Sequence, residues 1–186
     1  MSGFSQNTLL ELVPQTEFGL VRRASSGDTS AFKQLFDSHM PRVYGFCLRI
    51  SADKDLADDL AQTVFIKAWE KLGSFKFESK FTTWLHSIAM NEFLSHRRSG
   101  NNFMKKITEL FNHHERHSKY ASRFDAGIDI ESALSGLSEQ ARMVVVMHDI
   151  EGYKHEEISA MLGIAVGTSK AALHRARKQL RKELRK

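Results

Sequence analysis

The chain has 186 residues, 41% of them hydrophobic, with a formal net charge of +5 and only two prolines, Pro14 and Pro41. That length allows one or two small cores, and apolar residues recur at spacings of three and four rather than two, so the expected fold class is all-α. A single cysteine, Cys47, excludes an intrachain disulfide and a thiolate metal cage, and its setting VYGFCLRI is that of a core position. The longest apolar run, 143–147, is far too short to span a bilayer, and residues 1–15 lack the basic start and apolar stretch of a signal peptide. A cytoplasmic protein without membrane insertion is expected.

Residues 1–15 read as a loosely ordered tail. A short helix is expected over 17–25, broken by Ser26-Gly27-Asp28. The stretch 29–50 continues with Phe32, Leu35, Phe36, Val43, Phe46, Cys47 and Ile50 as a buried stripe, which Pro41 should kink or interrupt. Asp53 or Asp55 then caps an amphipathic helix, DLADDLAQTVFIKAWEKL, with Leu56, Leu60, Val64, Trp69 and Leu72 apolar and Asp58, Asp59, Gln62, Lys67 and Glu70 largely outward, ended by Gly73. SFKFESKF is a loop with three aromatics, Phe75, Phe77 and Phe81. Thr82 or Thr83 opens a further helix, TTWLHSIAMNEFLSHRR, which closes on Arg97 and Arg98 before Ser99-Gly100. These helices make one expected domain, 12–100.

The last third carries an abrupt change of charge. Between 131 and 165 the acids Glu131, Glu139, Asp149, Glu151, Glu156 and Glu157 outnumber Arg142 and Lys154. From Val166 onward Lys170, Arg175, Arg177, Lys178, Arg181, Lys182, Arg185 and Lys186 face Glu183 alone. A helix of that composition is made to lie against phosphate, because each cation meeting a phosphate releases condensed counterions. The helix predicted over 155–162 puts Ile158, Met161 and Leu162 on one face; Gly163 supplies a left-handed stop and Ile164 the hydrophobic contact behind it. A second helix follows, with Thr168 as N-cap or first-turn residue and Ala171, Ala172, Leu173, Ala176 and Leu180 at helical spacing. Two helices joined by a short Gly-containing turn form a helix-turn-helix, whose second helix enters the major groove. An amphipathic C-terminal helix with a merely solvated basic face is the plainer alternative.

Four segments taken together, GDTSAFKQLFDSHMPRVYGFCLRI, DKDLADDLAQTVFIKAWEKL, FESKFTTWLHSIAMNEFLSHRR and LSEQARMVVVMHDIEGYKHEEISAMLGIAVGTSKAALHRAR, resemble the bacterial sigma factors of the extracytoplasmic-function group, which have only regions 2 and 4. The resemblance covers about 17–98 and 130–185, and its specificity lies in the order and joint occurrence of the segments. It implies a protein that is not an enzyme and needs no cofactor or metal. Such a protein binds core RNA polymerase through the β′ clamp helices and the β flap, directs it to promoter DNA, helps open the duplex, and answers to an anti-sigma factor.

The same resemblance places residues in roles. Asp55, Asp58, Asp59, Leu60, Gln62, Phe65 and Trp69 become the core-polymerase contacts; acids beside apolar anchors suit a basic coiled coil. Some of Leu60, Phe65 and Trp69 must instead be core at this spacing. Phe75, Lys76, Phe77, Lys80, Phe81, Trp84, Asn91, Arg97 and Arg98 fall where the family captures the -10 element, a task that needs aromatic walls for an extruded base and cations for the strand. Phe81 and Trp84 are equally suited to packing. Near Gly167-Thr168 the family usually has a branched apolar residue, then Lys or Arg, Ser and Arg. Here Ser169, Lys170, Ala171 and Ala172 follow, so readout of the -35 element rests on fewer side chains. Lys170, His174, Arg175 and Ser169 are expected near base edges, Arg177, Lys178 and Arg181 on phosphate, with Thr168 and Ala171 beside them.

Residues 101–129 form the expected linker and 130–186 the second domain. Phe103, Ile107 and Phe111, at i, i+4 and i+8, give the linker a helical stripe. His113, His114 and His117 lack the carboxylate or cysteine pattern of a metal site, so a solvated linker is the expected reading. Two other function classes fit parts of the sequence. One is a helix-turn-helix regulator with a helical sensor domain, binding operator DNA as a symmetric dimer; the other is a metal-dependent enzyme built on the histidines.

Overall fold

A computed structural model describes residues 16–99 and 128–184. The tail 1–15, residues 100–127 with the aromatic stripe and histidines of the linker, and Arg185 and Lys186 lie outside the described residues. Within them the chain is helical throughout: α1 (Glu17–Ser25), α2 (Thr29–Ser51), α3 (Lys54–Lys71), a 3-10 turn (Leu72–Ser74), α4 (Phe81–Ser99), α5 (Ile128–Ser135), α6 (Glu139–Val145), a π turn (Val146–Ile150), α7 (His155–Leu162) and α8 (Val166–Glu183).

The helix starts follow from short polar side chains that satisfy orphan amides. Thr16 Oγ1 accepts from Gly19 N–H at 3.2 Å, Asp28 from Ala31 at 3.0 Å, and Asp53, rather than Asp55, from Leu56 at 3.0 Å. Arg23 also pairs with Asp28 across the break between α1 and α2, at 2.7 Å. Pro41 does not interrupt α2, which runs unbroken to Ser51. The lost amide bond is outweighed by a nearly continuous buried stripe around it, Leu35, Met40, Val43, Tyr44, Phe46, Cys47 and Ile50. α4 begins at Phe81, one residue before the expected threonines, because Phe81 is itself buried and anchors the first turn.

In the first bundle α2 lies centrally against α1, α3 and α4. Lys67 on α3 pairs with Glu92 on α4 at 2.6 Å. Cys47 is fully buried, and burial pushes its thiol up to about 12, which leaves it a small apolar side chain.

The second bundle is built on α6 and α8. The π turn ends with Glu151 N–H bonded to Val146 O at 3.0 Å, five residues back, and Gly152 then adopts φ +77°. This bend turns Glu151 and Tyr153 toward the first bundle. The Glu151 carboxylate, 4% exposed, accepts from Arg42 at 2.9 Å and lies 3.7 Å from His86 Nδ1, and the Tyr153 hydroxyl is 3.3 Å from the same nitrogen. Arg142, also buried, donates through Nε to Ile50 O at 3.1 Å and through Nη2 to Ser51 O at 3.2 Å. A guanidinium thereby caps the negative end of α2 from the other bundle.

Candidate functional site

Three surfaces collect the side chains that the sequence singled out. The first is the outer face of α3. Asp55, Asp59 and Gln62 are exposed and Asp58 half-buried, whereas Leu60 and Phe65 are 4% and 3% exposed. Leu60 therefore leaves the contact set for the core. Phe65 forms the floor of a groove walled by Phe32 and Phe36 of α2 and by Gln62, Ile66, Trp69 and Glu70 of α3. Trp69 stays on the surface, edge-on to Phe32 at 4.9 Å. Ile66, 61% exposed, was missed: an isoleucine in an apolar run reads as core, and only the rotation of the helix reveals it. The result is an apolar groove bordered by acids, with its one large aliphatic anchor in water.

The second surface lies at the 75–81 loop. Phe81 is buried and Phe75 nearly so, Trp84 is half-buried, and Phe77, Lys76 and Lys80 are exposed. Phe75, Phe81 and Trp84 pack on one another with ring centroids 5.2 to 5.7 Å apart, so these three chiefly hold the loop to α4. Asn91 and Arg98 are exposed on α4, while Arg97 forms an ion pair with Glu139 of the second bundle. His86, on the same helix, stacks on Phe46 at 4.2 Å and is held down to about 4, first by burial and then by Arg42 and His39, against the opposing pull of Glu151.

The third surface is the helix-turn-helix. α7 opens with the Glu157 carboxylate accepting from Lys154 N–H at 2.7 Å and stops at Gly163, φ +65°. Ile164 N–H closes on Ser159 O, and the Ser159 hydroxyl donates to Ile164 O. α8 then presents Thr168, Lys170, Ala171, His174, Arg175, Lys178 and Arg181 to solvent and buries Ser169, Ala172, Leu173 and Ala176. Ser169 is thus a correction: it does not reach the outer face but shares a 2.9 Å hydrogen bond with His155 Nδ1 of α7, locking the angle between the two helices. Arg177, expected on phosphate, pairs in the free chain with Asp149 through bonds of 2.6 and 2.9 Å. That bidentate pair holds the Asp149 carboxyl below its ordinary range, with His148 assisting. Ala172 points into the domain, so the absent family arginine has no place on this face.

A helical bundle with an apolar groove on α3, joined to a helix-turn-helix whose second helix is basic on its outer face, has the architecture of a DNA-binding protein. Comparison with known proteins identifies it further. The family model described as Sigma-70 region 2 matches residues 35–103, and that described as Sigma-70, region 4 matches residues 128–180. The ECF RNA polymerase sigma factor SigE of Mycolicibacterium smegmatis is 34% identical over 172 residues, 87% of this chain and 66% of that protein. The RNA polymerase sigma factor CarQ of Myxococcus xanthus is 31% identical over 180 residues, 88% of this chain and 95% of that one. Among solved structures, the sigma factor RpoE of Bartonella quintana, bound to the anti-sigma factor NepR, is 28% identical with a TM-score of 0.62, covering 83% of this chain and 96% of RpoE. The chain belongs to the sigma-70 family of RNA polymerase sigma factors, in its extracytoplasmic-function group. The reading as a stand-alone helix-turn-helix regulator is not favoured. Among the described residues no helix is long and apolar enough to cross a membrane.

Proposed function

We propose that this sigma factor docks on the β′ clamp helices of core polymerase through the outer face of α3, captures the -10 element at the 75–81 loop and the exposed side of α4, and reads the -35 element with α8. The observation that carries the reading is the partition of α3: its aliphatic and aromatic anchors Ile66 and Trp69 stand exposed beside Asp55, Asp59 and Gln62 rather than in the core. A basic coiled coil is the natural complement of such a face, since charge sets register and encounter while the anchors supply affinity. Lys170, His174 and Arg175 take the base-edge positions, and Lys178 and Arg181 the phosphates. An anti-sigma factor is the expected inhibitor, as RpoE is bound by NepR. The protein works as a cytoplasmic initiation factor without catalytic chemistry of its own.

The test is capture of core polymerase by the purified chain. Asp58→Lys with Asp59→Lys should abolish capture while circular dichroism shows the helical content retained. Ile66→Ala should weaken capture about tenfold or more, the loss expected of a central anchor. Native capture by the double variant would remove the clamp-helix assignment.

A further inference from the structure

The aromatics of the 75–81 loop divide into packing and display, and the displayed ring does not stand alone. Phe77 has φ +59°, one of two non-glycine residues with positive φ among the described residues. That backbone is strained for an L-residue, and the ring stands outward, 42% exposed. Its ring meets Phe18 of α1 with centroids 4.7 Å apart and planes inclined by 50°. Phe18 is the more exposed of the two at 52%. One helical turn on, the Arg22 guanidinium lies 5.8 Å from the Phe18 ring centroid. Two half-exposed rings from distant parts of the chain meet here, with the Arg22 cation against Phe18 and the exposed Lys76 next in sequence to Phe77.

We propose that Phe18 and Arg22 extend the base-capturing site: Phe18 stacks a second unpaired base of the non-template strand next to the one held at Phe77, and Arg22 pairs with a neighbouring phosphate. The inference rests on the assignment of the 75–81 loop to the -10 element and adds α1 to it. Single-stranded nucleic acid fits this surface because every base has a π-face for the exposed rings and the strand between bases is anionic, which suits the cation beside them. A surface needed only to cover Phe77 requires an apolar side chain at position 18. It requires neither a flat ring nor a cation beside it.

The test uses holoenzyme made from core polymerase and the full chain, with a promoter selected by the native holoenzyme and built as a fork whose non-template strand is single-stranded from the -10 element onward. Phe18→Leu keeps an apolar cover but removes the stacking face; it should weaken fork binding about tenfold while leaving binding to the intact duplex unchanged. Phe18→Trp should bind the fork as the native chain does, and Arg22→Gln should lower the salt slope by about one. Native fork affinity for Phe18→Leu alongside a loss for Phe77→Ala would overturn the role of α1 and leave the loop assignment standing. Native affinity for both variants would overturn the loop assignment itself.

Discussion

His86 lies at the contact between α4 and the segment after the π turn, with Glu151, Arg42, His39 and Tyr153 as its titratable and charged neighbours, and its Nε2 has no hydrogen-bond partner among the described residues. Because burial holds its folded pKa near 4, below the ordinary 6.5, the unfolded chain takes up a proton that the folded one refuses. Stability is unaffected above pH 6.5 and falls as pH drops from 6.5 toward 4, by at most about 3 kcal/mol. Thermal melting between pH 7.5 and 5 should show that decline, and His86→Gln should flatten it; equal slopes for both proteins would exclude His86 as its source. At another buried position, Ala172→Arg forces a guanidinium between α8 and its neighbours, and Tm should fall by the equivalent of more than about 2 kcal/mol. A variant that melts normally and gains DNA affinity would place position 172 on the DNA face instead.

At the scale of elements, the proposed reading divides α8 into side chains for specificity and side chains for affinity. Arg175→Ala should relax base preference within the -35 element by about 1 to 3 kcal/mol at one position, whereas Lys178→Ala should weaken all sites alike and lower the salt slope by about one. Holoenzyme binding to a randomised -35 library reads both; an unchanged preference in Lys170→Ala, His174→Ala and Arg175→Ala would refute the recognition role of α8. The helices themselves were legible because their signals are local: the Asp53 cap, the Gly163 stop, and the Ser26-Gly27-Asp28 break each act within a turn or two. The orientation of α3 was less so. Its apolar residues surround much of the helix, so periodicity alone could not tell Leu60 and Phe65, which are buried, from Ile66 and Trp69, which are exposed. The Ser169–His155 and Arg177–Asp149 bonds were likewise hidden, since each joins residues fourteen or more apart whose approach depends on the completed turn.

For the whole molecule, the packing of the two bundles is the feature least visible in sequence, because Arg142 looks like one more surface cation until Ile50 O and Ser51 O are found beside it. Burial, together with repulsion from Arg97, lowers the pKa of Arg142, and the two carbonyl bonds compensate for the loss of water. Arg142→Ala should loosen the contact, seen as a larger radius of gyration in small-angle scattering at unchanged helical content; an unchanged radius would mean that the remaining contacts suffice. In the packed arrangement Arg97 is held by Glu139 and the buried side of α4 is covered by Tyr153. The groove on α3 and the outer face of α8 stay open. The most direct test of the account is transcription from a promoter-bearing template by purified core polymerase with and without this chain. Promoter-specific initiation should require the chain, and should be lost with Asp58→Lys and Asp59→Lys while the variant remains folded. Tight, symmetric binding of the chain alone to duplex DNA, with no stimulation of core polymerase, would contradict it.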